Sequence, residues 1–275
     1  MEKDVLSVKD TQSVSLSILK TIATICEDQN FRYFLTYGTL LGAIRHKGFI
    51  PWDDDVDIMM PRPDYDRFID YFLQHLNEYP NLRLFNHDTC AKYPYMITRI
   101  SDNRYKIVMH NEKPYGMGIF VDIYPLDGLG ATYKEAVKFA RKGDFLSSVC
   151  YQSTRDHFAI ETTRDPLKKV IKFPFYLFSK ALGKEWAQTR LSLLANYKQY
   201  DLSNFVGCVV WLSGGTKDIF KKEMFEEYEL APFEDAQFRI PKKYDEILKQ
   251  MYGDYMQLPP EKDQVGHHDY VVYKL

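Results

Sequence analysis

The sequence has little cysteine, no surplus of positive charge and no long apolar run, and each of these shortages argues against a class of protein. Its 275 residues include four cysteines, which stand far apart and form no CxxC pair. We therefore expect neither a disulfide framework nor a zinc site. The formal net charge of −2 gives no global attraction to nucleic acid, so we expect no nucleic-acid partner.

The beginning of the chain, MEKDVLSVKDTQ, carries charged side chains and no apolar stretch. It therefore predicts neither a signal peptide nor a membrane anchor, and we expect a cytoplasmic protein. The chain also has no low-complexity tract, internal repeat or linker-like stretch. We expect one domain over residues 1–275, which is large enough to bury an ample core.

Aspartates are crowded into one short stretch, at positions 53, 54, 55 and 57. Such crowding raises carboxyl pKa values unless a cation relieves the repulsion. If residues 55–58 form a strand, its side chains alternate, so Asp55 and Asp57 share one face while Val56 and Ile58 enter the core. Paired carboxylates suit Mg²⁺ or Mn²⁺ bound together with a phosphate. The stretch therefore predicts phosphoryl chemistry.

An Asp-x-Asp pair has other meanings, and the surrounding residues must decide between them. It also occurs in sugar-nucleotide glycosyltransferases and on solvated acidic turns. The same stretch spells DDxxD, the metal box of prenyl-diphosphate enzymes, but that box needs helical spacing. Pro51 and the β-branched Val56 and Ile58 disfavour a helix here. The prenyl-diphosphate interpretation is therefore weak.

The residues before the acids predict a phosphate-binding turn. Residues 31–37 are aromatic and apolar, as in a buried strand, and Gly38-Thr39 interrupts them. Residues 40–44 then begin a helix that ends near Gly48. A strand, a turn and a helix in this order point backbone N–H groups at an anion. Gly38 and Thr39 are therefore candidate substrate-binding residues.

Basic residues lie between this turn and the acids. Arg45 and Lys47 are close enough in sequence to neutralise phosphate charge, which makes them candidate substrate-binding residues. Basic residues at the end of a helix also complement its dipole, and both roles stay open.

A further acid interrupts an apolar strand predicted over residues 118–124. Asp122 lies between Val121 and Ile123, where a carboxylate is costly unless it is paired or metal-bound. In phosphoryl transfer with two ions ~3.5–4 Å apart, a third carboxylate can bind one ion and accept the proton of the nucleophile. We expect Asp122 to be this third acid and the general base, with a turn-capping role as the alternative. Asp127 fits turn chemistry instead.

Together these motifs resemble a known family. Gly38-Thr39 followed by Asp55-x-Asp57 is similar to the signature of the nucleotidyltransferase fold. The longer string TYGTLLGAIRHKGFIPWDDDVDI resembles the core motif of the LicD family, bacterial phosphocholine transferases related to the fukutin-related ribitol-phosphate transferases. The resemblance implies an α/β fold with a nucleotidyltransferase-like mixed β-sheet core and flanking helices.

Two later segments share the resemblance. Residues 120–128 resemble the second acidic strand of the family, and residues 252–260 with His267 and His268 resemble its C-terminal signature. A histidine pair near a phosphate can bind it or relay protons, whereas terminal histidines are often only exposed. The resemblance alone makes His267 and His268 candidate substrate-binding residues.

The resemblance also implies a reaction. It is metal-dependent transfer of phosphocholine, or a similar phospho-alcohol, from CDP-choline or a related CDP-alcohol to a hydroxyl of a lipid-linked glycan precursor, such as teichoic acid or lipopolysaccharide, with release of CMP. We expect two ions of Mg²⁺ or Mn²⁺ at Asp55, Asp57 and Asp122. Nucleotidyl transfer from a nucleoside triphosphate, which releases pyrophosphate, would use the same acids and stays open. A catalytically inactive nucleotide-binding protein is the non-enzyme alternative.

Residues 131–200 predict mainly helices, which would form an insertion in the domain. Basic and aromatic residues interleave over residues 164–184, a pattern typical of contact with anionic lipid and also of a buried helix pair with solvated lysines. A lipid-linked acceptor requires the enzyme at the membrane. We therefore expect peripheral contact with the inner face of the cytoplasmic membrane through Lys168, Lys169 and Lys172.

Overall fold

The computed structural model describes residues 5–158, 166–211, 215–266 and 270–275, without the side chains of residues 166–171. In these parts the helices are α1 (Val8–Asp28), α2 (Tyr37–Arg45), α3 (Arg62–Gln74), α4 (Tyr133–Thr154), α5 (Pro166–Leu182), α6 (Lys184–Ala195) and α7 (Tyr244–Tyr252). The strands are β1 (Phe34–Leu35), β2 (Asp57–Pro61), β3 (Leu82–Phe85), β4 (Thr98–Asp102), β5 (Tyr105–Met109), β6 (Ile119–Gly130), β7 (Phe205–Gly207), β8 (Phe220–Lys221), β9 (Tyr228–Phe233), β10 (Ala236–Pro241) and β11 (Tyr270–Lys274).

A mixed sheet forms the centre of the fold. Strands β1, β2, β6, β4 and β3 lie side by side in this order, while β7 pairs with the second half of β6 and with β8. β2 and β6 run parallel, whereas the other neighbours in this sheet are antiparallel. Every residue of β6 is buried, as expected of a strand covered on both faces. The predicted α/β fold with a mixed sheet and flanking helices is confirmed.

Helix α1 packs against this sheet because its apolar residues recur every three or four positions. Ile18, Ile22 and Ile25 are at most 2% exposed. On the same helix, the side-chain amide of Gln12 donates to the carbonyl of Asp53 at 2.7 Å. Helix α1 therefore also holds the backbone of the acidic loop that precedes β2.

Two predictions before the acidic loop are wrong in extent. Residues 31–37 form a strand only at β1, and helix α2 already begins at Tyr37. The reason lies at Thr36, whose N–H donates to the carbonyl of Asp57 at 3.1 Å and whose carbonyl accepts from the N–H of Leu40 at 3.0 Å. Thr36 thus ends the strand and caps the helix, so Gly38 lies in the first helical turn.

The strand predicted from Asp55 begins only at Asp57, and Asp55 belongs to the preceding loop. A turn holds this loop, because the N–H of Asp53 donates to the carbonyl of Ile50 at 2.9 Å. Val56 is 0% exposed and enters the core as predicted. Asp55 and Asp57 are therefore not paired by strand alternation, although they remain neighbours.

Helices α4, α5 and α6 occupy the described part of residues 131–200, and α4 packs against both of the others. The predicted helical character is thus confirmed there, whereas the domain boundaries and the status of this part as an insertion stay predictions. Within the described residues, no helix is long and apolar enough to cross a membrane.

Candidate active site

The register of the central strands brings three charged residues into one row. Strands β2 and β6 pair Asp57 with Asp122, and strands β4 and β6 pair Arg99 with the same Asp122. Residues in register on neighbouring strands project from the same face of a sheet. The exposed fractions are only 6% for Asp57, 4% for Asp122 and 7% for Arg99. Two carboxylates and one guanidinium therefore lie side by side inside the protein.

Asp122 is tied to Arg99. The Nε of Arg99 donates to Oδ1 of Asp122 at 2.5 Å, and Nη2 donates to Oδ2 at 3.3 Å. The guanidinium also lies over the rings of Phe120 and Tyr95, with Cζ 4.1 and 4.6 Å from the ring centroids. Both oxygens of Asp122 thus face a cation that the protein itself supplies.

Asp57 has no such partner among the described residues, where its buried Oδ1 accepts no hydrogen bond. Burial raises the pKa of Asp57 well above its usual value, and the negative charges of Asp55, Asp122 and Asp53 raise it further, while Arg99 acts in the opposite direction. An ionised carboxylate in such surroundings is costly unless a cation binds to it. The carboxylate oxygens here fit a divalent cation such as Mg²⁺ or Mn²⁺.

The predicted set of three metal ligands is not assembled in this structure. Over the described ranges, no group of three or more Asp, Glu, His or Cys side chains is placed to hold one ion. Arg99 engages Asp122, and Asp55 lies on the loop before β2. Magnesium sites commonly combine one or two carboxylates with substrate phosphates. A pair of ions at Asp55, Asp57 and Asp122 stays a prediction.

The start of helix α2 is attached to the start of β2. The hydroxyl of Thr39, which is 4% exposed, accepts from the N–H of Asp57 at 2.8 Å. Gly38 lies against the acidic loop, since a Cβ added there would be 2.7 Å from Oδ2 of Asp53. Tyr37 has a φ of +47°, which is rare for an aromatic residue. Thr39 therefore positions Asp57, and phosphate binding at the helix start stays a prediction.

Asp57 lines a cavity of about 750 Å³. The wall is formed by the start of α2, the acidic loop and the segment that begins at the end of α7. The lining residues are Gly38, Leu41, Arg45, Ile50, Trp52, Asp53, Asp55, Asp57, Tyr252, Asp254, Tyr255, Gln257, Leu258, Pro259, Pro260 and Asp263. Of the predicted site residues, Gly38, Arg45, Asp55 and Asp57 thus meet around one space.

The other predicted site residues lie elsewhere. Thr39 and Asp122 do not line the cavity, but both lie next to Asp57. The hydroxyl of Thr39 accepts from the N–H of Asp57, and Asp122 is its partner on the neighbouring strand. Lys47 is exposed and outside the lining, with its carbonyl accepting from the N–H of Glu234 at 2.9 Å. His267 and His268 lie outside the described residues.

Arg45 connects helix α2 to the segment after α7. Its Nη1 donates to the carbonyl of Tyr255 at 3.0 Å, and its Nε donates to Nε2 of His46 at 2.9 Å. The second bond requires an unprotonated Nε2 on His46. Burial lowers the pKa of His46, and the positive charge of Arg45 lowers it further, which favours that neutral form.

The motif around this site also occurs in known proteins. Residues 30–170 match the family described as LicD/FKTN/FKRP, nucleotidyltransferase domain. The chain is 36% identical over 273 residues to the lipopolysaccharide cholinephosphotransferase LicD of Haemophilus influenzae. The matched residues are 98% of this chain and 99% of the relative. The chain belongs to the LicD family. The resemblance inferred from the sequence is thereby confirmed, and this LicD-family chain is a phosphotransferase.

Shorter matches connect the LicD-family chain to two uncharacterized proteins. One, from Rickettsia typhi, is 37% identical over 62 residues, which are 22% of this chain and 20% of the relative. The other, from Rickettsia prowazekii, is 43% identical over 47 residues, which are 17% of this chain and 18% of the relative.

Arg99 is a residue next to Asp57 and Asp122 that sequence reasoning missed. It lies in strand β4, which is mostly polar in sequence, TRISD, and is nevertheless buried. Only the fold shows that this charge is buried and needs a partner. The sequence therefore contains no signal that pairs Arg99 with Asp122.

Asp218 is a second missed residue. It ends a 3-10 turn over Gly215–Asp218 and is 1% exposed. Burial raises the pKa of the Tyr252 hydroxyl, and the negative charges of Asp57 and Asp218 raise it further, so these groups lie near one another. The string TKDIF around Asp218 contains no motif that would have revealed it.

Asp127, which the sequence marks as structural, is fully buried at the far end of β6. Its Oδ1 accepts from Nε of Arg62 at 2.7 Å, and its Oδ2 accepts from the N–H of Val209 at 3.2 Å. These bonds join β6 to α3 and to the segment after β7. Asp127 therefore contributes to the fold and not to the cavity.

Proposed function

We propose that the chain transfers phosphocholine from CDP-choline to a hydroxyl of a lipid-linked glycan precursor, such as that of lipopolysaccharide, and releases CMP. The relative from Haemophilus influenzae is named a lipopolysaccharide cholinephosphotransferase. In the reaction the hydroxyl oxygen bonds to the phosphorus of the phosphocholine group. The bond from that phosphorus to the CMP oxygen breaks, and the hydroxyl proton passes to a carboxylate.

The composition of the cavity wall carries this proposal. Trp52, Tyr252 and Tyr255 line it together with the exposed carboxylates of Asp254 and Asp263. Aromatic faces attract the quaternary ammonium of choline, by about 0.5–2 kcal/mol for each well-placed ring, and carboxylates add charge attraction. An aromatic and acidic wall next to Asp57 suits a group that is cationic at one end and carries phosphate at the other.

The phosphate end of the donor requires additional positive charge. Among the described residues, five aspartates and one basic residue, Arg45, line the cavity. A diphosphate would be repelled by this excess of carboxylates. Mg²⁺ or Mn²⁺ held by Asp55 and Asp57 would supply charge neutralisation of the donor phosphates. Arg45, which also lines the cavity, would add a donor of hydrogen bonds.

Asp57 is better placed than Asp122 to accept the proton of the acceptor hydroxyl. Asp57 lines the cavity, where an acceptor hydroxyl would reach its carboxylate. Both oxygens of Asp122 accept from Arg99, and Asp122 does not line the cavity. The sequence predicts Asp122 as the general base, whereas in this proposal Asp57 is the general base and Asp122 positions Asp57.

Product analysis tests the reaction. The purified protein is incubated with Mg²⁺, lipid-linked oligosaccharide acceptor and, in separate reactions, CDP-choline, CDP-ribitol, CDP-glycerol or CTP. We expect release of CMP and a phosphocholine-modified acceptor only with CDP-choline. Pyrophosphate release from CTP would show nucleotidyl transfer instead, and turnover of CDP-ribitol alone would refute the choline assignment.

Two variants that each remove one negative charge test whether the reaction takes place at Asp57. Asp57→Asn should lower the rate of transfer at least 100-fold, because general acid–base catalysis contributes typically 10²–10⁴-fold. Asp28→Asn, at the exposed end of α1, should leave the rate unchanged. Equal rates for both variants would remove Asp57 from the reaction.

A further inference from the structure

A second large groove lies on the helical part of the protein. It has a volume of about 720 Å³, close to the 750 Å³ of the catalytic cavity, and the two spaces share no lining residue. Helix α4 and helix α6 form its two sides, and the chain just after α6 closes one end. The lining residues used below are Lys138, Lys142, Phe145, Arg190, Leu193 and Tyr197.

The apolar residues of the lining, which we call the floor of the groove, are exposed. Phe145 is 48% exposed, Leu193 is 65% exposed and Tyr197 is 73% exposed, which is a large exposure for such side chains. The ring of Tyr197 stacks on Phe139 with a centroid distance of 6.1 Å, and Phe145 lies 6.1 Å from Phe175. These contacts hold the aromatic rings in place while leaving much of their surface open.

The sides of the groove are basic, in contrast to the rest of the chain. Lys138, Lys142, Arg190 and Lys198 line it, and the one acid among the described lining residues, Glu135, is ion-paired with Lys198. The lining therefore carries three positive charges in excess, although the whole chain has a net charge of −2. The described lining of the catalytic cavity, with five aspartates and one arginine, has the opposite sign.

We propose that this groove between α4 and α6 docks the protein on a membrane surface by binding an anionic phospholipid. The basic side chains would contact the lipid phosphate, and the exposed rings and Leu193 would contact the upper part of an acyl chain. A free phosphate would leave the apolar floor uncovered, and an apolar ligand would leave the basic sides without a partner. An anionic amphiphile satisfies both. This proposal does not depend on the proposed reaction.

The groove differs from the docking segment predicted from the sequence. In the structure, the ammonium of Lys180 donates to the carbonyl groups of Ser153 and Arg155, and that of Lys184 donates to the carbonyl of Ala91. These two charges of residues 164–184 are therefore engaged within the protein. Lys168 and Lys169 belong to the side chains that the structure does not describe, and a role for them stays a prediction.

Co-sedimentation of the full-length protein with vesicles tests the charge component. Vesicles of phosphatidylcholine with phosphatidylglycerol are compared with vesicles of phosphatidylcholine alone. The variant Lys138→Glu/Lys142→Glu/Arg190→Glu should bind the anionic vesicles at least tenfold more weakly than the wild type. A matched control, Lys9→Glu/Lys92→Glu/Lys274→Glu, makes the same charge change on exposed residues outside the groove and should bind at least fivefold better than the groove variant.

Equal weakening by both triple variants would overturn the proposal, because attraction would then follow net charge alone. Binding of the wild type to both kinds of vesicle with the same affinity would overturn it as well. Circular dichroism should show the wild-type helix content in each variant, as expected for exposed positions.

Fluorescence quenching tests the apolar component without a change of charge. Trp186 lines the groove, and Arg190 lies over its ring with Cζ 5.3 Å from the centroid. Anionic vesicles with bromine atoms on the acyl chains should quench the tryptophan fluorescence of the wild type. The quenching should be largely lost in Trp186→Phe and kept in Trp211→Phe. If Trp186→Phe is quenched as strongly as the wild type, the lipid chain does not enter the groove and the proposal fails.

Discussion

The buried ion pair of Arg99 and Asp122 leads to a quantitative prediction. The side chains are 9% and 6% exposed, and two hydrogen bonds join them. Removal of one partner of a buried pair leaves an uncompensated charge and typically costs about 3–5 kcal/mol of stability. Arg99→Met keeps much of the side-chain volume between Tyr95 and Phe120 but removes the charge. We therefore expect it to lower the free energy of unfolding by about 3–5 kcal/mol, and to lower Tm by roughly 10 °C.

A double-mutant cycle separates the ion pair from general damage to the core. Replacing both partners by apolar groups is often nearly neutral, so Arg99→Met/Asp122→Leu should lie within about 2 kcal/mol of the wild type. Urea denaturation of the wild type, both single variants and the double variant gives the coupling energy. We expect at least about 2 kcal/mol. If the two single effects add to within about 0.5 kcal/mol, the pair does not stabilise the sheet as argued.

Three further predictions concern the cavity that Asp57 lines and the end of helix α2 next to it. Asp57→Asn should raise the stability of the metal-free protein by on the order of 1 kcal/mol, because it removes a buried charge, and urea denaturation with EDTA showing no gain would contradict this. Gly38→Val should weaken binding of CDP-choline at least tenfold in calorimetry, since its Cβ would lie 2.7 Å from Oδ2 of Asp53; unchanged affinity would place Gly38 outside the site. Burial lowers the pKa of His46, and the positive charge of Arg45 lowers it further. The neutral imidazole therefore contributes to stability above the usual histidine pKa of about 6.5, and this contribution is lost as pH falls below that value. His46→Gln should therefore reduce the loss of stability between about pH 7 and pH 5, and an identical pH profile for wild type and variant would exclude this role.

Much of the site could be predicted because its residues are local in sequence. Gly38, Asp55 and Asp57 lie within 20 positions of one another, and steric and charge arguments apply directly to such a stretch. Asp122 could be added because a carboxylate in an apolar strand requires a reason. The structure places it in register with Asp57, as a parallel strand pair allows.

The parts that could not be predicted depend on contacts between distant segments. Tyr252 and Tyr255 line the same cavity as Asp57 although they are about 200 positions away in sequence, and Arg45 bonds to the carbonyl of Tyr255 across this gap. Thr39 was assigned to substrate binding because its sequence position suits an anion. In the structure its hydroxyl accepts from the N–H of Asp57, a partner 18 residues away that only the folded chain provides.

The row of Asp57, Asp122 and Arg99 explains why a cation would approach this site from one direction. The row contains two carboxylates and one guanidinium, which is bonded to Asp122, so it retains a negative charge when both acids are fully ionised. Arg99 covers the side of Asp122 that faces β4, and the opposite end of the row at Asp57 opens to the cavity. The uncompensated charge of the row thus lies at the cavity. Burial and the neighbouring acids raise the pKa of Asp57, whereas a cation bound with the donor would favour its ionised form. Formation of the charged site would then be coupled to arrival of the donor.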